Sequence, residues 1–173
     1  SQMNQRRSLI QRSLPLICVC MTQPLCRVLF AQRIVLKPIA GAYAQELFDL
    51  WTEPDMDERG GFSKPSSLDA VIEDVKYFQT LCDAGFYCKW TIHDQSSHAF
   101  LGECELYPLK PQIHPWIEWG VGYSLKQQAR GQGFMTEAMR CVLNFAFHQA
   151  TAFRIKADVS PGNLESQRVL EKL

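Results

Sequence analysis

The sequence predicts an α+β fold built in three layers, α/β/α, around a mixed and mostly antiparallel central sheet with flanking helices. Two observations carry this. Strand-period segments follow one another through the middle of the chain, and a strand, helix, strand, helix order closes it. With 173 residues, 46% hydrophobic and 21% charged, the chain is long enough for one domain with a sizeable core.

The elements follow in order. RIVLKPI, residues 33 to 39, alternates and is closed by Pro38, which predicts a strand. AYAQELFDLW, residues 42 to 51, places Leu47, Phe48, Leu50 and Trp51 at helical spacing. The stretch from Trp51 to Pro65 holds two prolines and paired glycines and reads as a loop. Ser66 followed by Asp69 forms a capping-box pattern, and Leu68, Val71, Ile72, Val75, Phe78 and Leu81 extend a helix to about Asp83. FYCKWTIHD (86 to 94) and AFLGECEL (99 to 106), separated by four polar residues, should pair as an antiparallel hairpin. WIEWGVGYSL (116 to 125) is a third consecutive strand. Gly131 to Gln149 is strongly amphipathic, RIKADV (154 to 159) is a short strand, and a last helix begins at Asn163. The predicted order is β, α, α, β, β, β, α, β, α.

Composition removes several function classes. Eighteen Lys and Arg cancel eighteen Asp and Glu, so no net field draws the chain to nucleic acid or to an anionic membrane. No window approaches the ~20 apolar residues that cross a bilayer. The seven cysteines form no paired CxxC knuckles and the four histidines complete no zinc pattern, so no metal is expected and a reducing, cytoplasmic location fits. Near the start, Arg6 and Arg7 precede an apolar run from Leu14 to Met21, but the run is short, contains Pro15 and lacks a small-x-small cleavage site. Residues 1–27 are accordingly expected to be an extension, disordered or not native, with Met21 as a natural start, and 28–173 the domain.

The informative stretch is Gln128-Ala129-Arg130-Gly131-Gln132-Gly133-Phe134-Met135-Thr136, between a strand and the long helix. Glycines at 131 and 133 let backbone approach a ligand, and the first turn of a helix leaves N–H groups unpaired at its positive end, which suits phosphate. Thr136 stands where a dinucleotide GxGxxG would have its third small residue, and the lysine of a nucleoside-triphosphate loop is missing. An ordinary turn before a helix remains the alternative reading.

Gln128, Gly131 and Gly133 match the Gln/Arg-x-x-Gly-x-Gly/Ala motif of the GNAT superfamily, the acyl-CoA N-acyltransferase fold. With Gly122-Tyr123-Ser124-Leu125 before the motif and Asn163-Leu164-Glu165-Ser166 after it, the region from Arg33 to Leu173 resembles the RimJ/RimL branch, which acetylates protein N-termini or other amines. The resemblance implies acetyl-CoA as co-substrate, with its pantetheine arm along the backbone of Tyr123, Ser124 and Leu125. It also implies pyrophosphate on the N–H groups from Arg130 to Thr136, the Arg130 side chain as a charge-assisted donor, and Asn163 against the CoA arm. Chains of that branch continue past the last helix with Gly-Phe and a strand pair, so ending at Leu173 implies an incomplete domain. An edge strand left open in that way would invite pairing with another chain, and a homodimer is left open.

Acetyl transfer needs a base for the amine and a proton for the leaving thiolate. Glu118, beside the expected thioester, is the first candidate for base, through a bound water. Glu103 and Glu105 share one strand face and either reach the acceptor side or are simply solvated. The tyrosine that many family members carry seven residues after the Asn is here Leu170, and Ser166 matches the serine proposed as donor in this branch. Asn163 and Ser166 also have plain readings as helix cap and first-turn hydroxyl. Glu53, Asp55, Asp57 and Glu58 would favour a cationic acceptor: a peptide N-terminus, a polyamine or an aminoglycoside-like amine. Two alternatives stand beside the enzyme: a catalytically silent acyl-CoA-binding or sensor domain on the same fold, and a domain that binds another phosphorylated ligand.

Overall fold

The computed structural model describes residues 25–56, 64–85, 87–109 and 117–173. Among them, six strands form one sheet in sequence order: β1 (Leu29–Phe30), β2 (Ile34–Pro38), β3 (Cys88–Asp94), β4 (Phe100–Pro108), β5 (Ile117–Leu125) and β6 (Ala152–Lys156). β1 to β5 pair antiparallel as a meander, and β6 joins β5 in parallel. Four α-helices among the described residues accompany them: α1 (Ala44–Trp51), α2 (Leu68–Asp83), α3 (Phe134–His148) and α4 (Leu164–Glu171). The α+β, three-layer expectation holds, because a parallel neighbour to β5 requires a crossover and α3 supplies it.

Strand alternation splits the sheet into two buried faces. Ile34, Leu36, Trp90, Ile92, Cys104, Leu106, Trp119 and Val121 are buried on the face that receives α3. There the Phe145 ring meets Trp90 edge-on at 5.7 Å. Seven residues of α3 are buried at helical spacing, from Phe134 to Ala146. At about 1.5–3 kcal/mol for each large apolar side chain, tertiary packing holds this helix far more than its intrinsic propensity does. The opposite face carries Lys89, Thr91, His93, Glu103 and Glu105 under α1 and α2.

Several boundaries differ from the sequence reading. β1, two residues long, is too short to show a period and was not expected. β6 starts at Ala152 and stops at Lys156, not 154 to 159, because its pairing with β5 runs from Ile117↔Ala152 to Gly120↔Lys156. The cap of α2 is Ser67 rather than Ser66: its hydroxyl accepts from the Ala70 N–H at 3.2 Å, and the third helical position is an alanine that cannot reciprocate. In the β3–β4 hairpin, Asp94 Oδ1 accepts the N–H of Ser96 and of Ser97, closing the turn.

Of the segment expected to be an extension, Leu25 and Cys26 are buried and the Arg27 carbonyl accepts from Trp90 Nε1 at 2.8 Å. Residues 1–24, with Met21, lie outside the described residues. No described helix is long and apolar enough to cross a membrane.

Candidate active site

β5 is paired with β4 as far as Leu125, whereas its ladder to β6 ends at Gly120↔Lys156. From Val121 to Leu125 the backbone edge that faces β6 therefore has no strand partner among the described residues. A cleft of about 350 Å³ opens there, bounded by the end of β5, the turn before α3, and α4.

The turn at one end of the cleft depends on two glycines in the left-handed region, Gly131 at φ 75° and Gly133 at φ 82°. Gly133 is the residue before α3, so the helix opens at Phe134, three residues later than Gly131. A side chain at either position would strain the turn. Among the described hydrogen bonds, the N–H groups from Gly131 to Thr136 donate to no protein acceptor. Those amides and the positive end of α3 together form a concave surface fitted to an anion.

At the other end, Asn163 caps α4 by accepting the Ser166 N–H at 3.0 Å. Ser166 Oγ lies 2.8 Å from the Tyr123 hydroxyl. Burial pushes the Tyr123 pKa up, against a smaller opposing effect of the Ser166 hydrogen bond, so the phenol stays protonated at neutral pH.

Of the residues singled out in the sequence, Tyr123, Ser124, Leu125, Arg130, Gly131, Gly133, Met135, Thr136, Asn163 and Ser166 line this one cleft. Gln132 and Phe134 do not. Gln132 folds its amide back onto the Gln128 carbonyl, and Phe134 is buried beneath the Arg33 guanidinium, 4.5 Å from its ring centre. Arg130 lines the cleft but turns its guanidinium to Glu53, Asp55 and the Leu125 carbonyl. Glu118 is elsewhere: it ion-pairs with Arg154 of β6 and projects from the face of β5 opposite Tyr123.

Glu103 and Glu105 are not a solvated face. They are 4% and 3% exposed and flank Lys89, whose ammonium lies 2.9 Å from Glu103 and 3.0 Å from Glu105. Trp51 Nε1 donates to Glu103 at 2.8 Å, and the Tyr87 hydroxyl donates to Glu105. Burial works to lower the Lys89 pKa, but the two carboxylates overcome it and hold the amine charged. The Glu105 carboxylate also overlies Gly122, where an added Cβ would meet it at 2.7 Å.

Sequence reasoning missed Met56, Glu165, Arg168, Val169 and Lys172 as cleft residues. The last four repeat at i, i+3, i+4 and i+7 and were legible as one face of α4. No signal existed for Met56. Among the described residues, no group of three or more His, Cys, Asp or Glu side chains converges as a metal-ligand set.

A family profile described as Acetyltransferase (GNAT) domain matches residues 33–173. The chain belongs to the GNAT acetyltransferase family. Probable N-acetyltransferase YjcK of Bacillus subtilis (strain 168) is 52% identical over 52 residues, 30% of this chain, and the match spans only 29% of YjcK. Among solved structures, RimL, a ribosomal-protein alpha-N-acetyltransferase in complex with coenzyme A, superposes with TM-score 0.74 at 15% identity, covering 84% of this chain and 82% of RimL. The ribosomal-protein S5 alanine acetyltransferase of Vibrio fischeri superposes with TM-score 0.71 at 18% identity, covering 83% and 80%. At such identities the likeness establishes the GNAT fold alone. The gap between β5 and β6 is the feature of this GNAT domain on which the cleft depends.

Proposed function

We propose that the protein transfers an acetyl group from acetyl-CoA to a primary amine, a protein N-terminus or a small amine, by direct attack in a ternary complex. One observation carries the reading: a single cleft runs from an anion-cradling turn, along the unpaired edge of β5, to the Tyr123–Ser166 pair. An extended acyl-pantetheine chain ending in a diphosphate matches that sequence of features.

When bound, acetyl-CoA supplies an activated thioester carbonyl. The free amides from Gly131 to Thr136 and the start of α3 would hold the diphosphate, as the glycine geometry allows. Backbone groups of Tyr123, Ser124 and Leu125 on the open edge would pair with the arm's amides and orient it. Ser166 Oγ holds a proton at the α4 side, backed by a Tyr123 phenol that burial keeps neutral, and this pair takes the place of the missing tyrosine at Leu170. Glu118 is assigned to receive the amine proton through water from the other face of β5, with Arg154 fixing its carboxylate. A cytoplasmic site of action is part of the proposal, in keeping with five free thiols among the described residues.

The test is acetyl-CoA titration by calorimetry, followed by thiol release with peptides bearing free N-termini, polyamines and aminoglycosides. Binding with release for one amine class is the expected result. Binding without release for any amine would favour a silent acyl-CoA-binding domain, and no binding at all would remove the reading.

A further inference from the structure

We propose that Arg130 is a positioning residue, a clamp that fixes the loop after α1 to the turn before α3, so that the nucleotide end of the cleft and its acceptor side are set together. The inference rests on the acetyl-CoA reading above and revises the phosphate-donor role implied by the family resemblance.

The guanidinium is already engaged by protein. Nε donates to the Leu125 carbonyl at 3.0 Å, Nη1 to Asp55, and Nη2 to Glu53 at 2.8 Å and to Asp55 at 3.2 Å. Four of its five N–H donors are thereby spent on partners in a side chain only 13% exposed. Two carboxylates also answer its charge at close range, so it offers a diphosphate far less attraction than an unpaired guanidinium would. Anion binding at this turn is left to the backbone amides.

The clamp joins three segments. Leu125 is the last residue of β5 on the open edge, Arg130 sits in the turn, and Glu53 and Asp55 belong to the loop after α1. A second tie runs beside it: the Gln127 N–H reaches both oxygens of Glu53 at 3.2 Å. The same loop contributes Met56, which is buried and lines the cleft. Displacing the loop therefore moves a cleft wall, and displacing the turn moves the amides. One forked side chain holds both in register, which a lysine could not do. The cluster also removes Glu53 and Asp55 from any pool of free acidic groups that would attract a cationic acceptor.

The experiment is a mutant cycle read in the full chain: Arg130→Gln, the pair Glu53→Gln with Asp55→Asn, and all three together, with acetyl-CoA affinity and acceptor KM and kcat measured for each. As a clamp, both arms weaken acetyl-CoA binding by similar factors, roughly 10-fold, and the triple variant is no worse than Arg130→Gln alone. Acceptor KM rises in the same variants with kcat nearly kept, a split that general destabilisation would not produce. Hydrogen exchange on Arg130→Gln supplies a check independent of activity: amides of residues 53–56 exchange faster while β3 and β4 stay protected. If the carboxamide pair leaves acetyl-CoA binding unchanged or tighter while Arg130→Gln weakens it, Arg130 is a phosphate ligand and the clamp is wrong. Wild-type protein that binds no acetyl-CoA would instead overturn the proposed function, and the clamp's coupling role with it.

Discussion

The Tyr123 hydroxyl lies 2.8 Å from Ser166 Oγ, joining the end of β5 to the first turn of α4 across the cleft. The two residues are 43 apart in sequence, and α4 itself has no buried residue. If the pair supplies the leaving-group proton, Tyr123→Phe and Ser166→Ala should each lower kcat on the order of 10²-fold, with the double variant little worse than the stronger single. Acetyl-CoA affinity should change far less. Normal turnover in both single variants would remove the pair from the mechanism.

Gly133 is the residue where the turn's shape is most exposed to substitution. An alanine there must adopt φ near 82°, at a cost of about 1–2 kcal/mol, and the misdirected amides should weaken acetyl-CoA binding as well. Thermal unfolding should shift down by roughly 2–8 °C, taking a few degrees per kcal/mol. An unchanged midpoint together with unchanged affinity would show that the left-handed geometry is dispensable.

The Glu103–Lys89–Glu105 cluster is buried, so its members are not interchangeable with neutral residues one at a time. Lys89→Met leaves two adjacent carboxylates uncompensated and should destabilise by about 3–5 kcal/mol in a denaturant titration. Adding Glu103→Gln and Glu105→Gln should recover part of that loss. A triple variant less stable than Lys89→Met would mean that the carboxylates contribute through contacts other than the lysine.

His93 gives a pH dependence with a defined sign. Burial, followed by the nearby Lys37 charge, depresses its pKa below the usual 6.5, and its Nε2 lies 2.9 Å from Thr91 Oγ1. Below pH 6.5 the unfolded chain takes up a proton that the folded chain refuses. Stability should therefore be complete above 6.5, fall as pH drops towards the folded pKa, and flatten below it. Denaturant midpoints across that range should be steeper for the wild type than for His93→Gln, and parallel curves would assign the slope to other groups.

Asn163→Ala removes the α4 cap and should cost about 1 kcal/mol, felt locally because no residue of α4 is more than partly buried. The measurement is hydrogen exchange: Ser166 and Gln167 amides should lose protection while α3 keeps it. Uniform loss across α3 and α4 would show that the two helices open as one unit.

Local chemistry made much of this protein legible from its residues alone. The hairpin, the amphipathic period of α3, the Asn163 cap and the glycine turn are each decided within a few consecutive residues. Hydrogen bonding, backbone freedom and side-chain period act at that range. The three-layer fold followed from their order, since few arrangements bury a meander and a crossover together.

Tertiary structure alone decided which charges are free and which are spent. Nothing in the period of β4 distinguishes a solvated Glu103 and Glu105 from carboxylates buried around Lys89, because that depends on what α1, α2 and β3 place above them. Nothing near Arg130 announces Glu53 and Asp55, over seventy residues earlier, or pairs Glu118 with Arg154 across a crossover. Long-range electrostatic pairing is set by packing geometry, and the sequence carries only the residue types that such packing brings together.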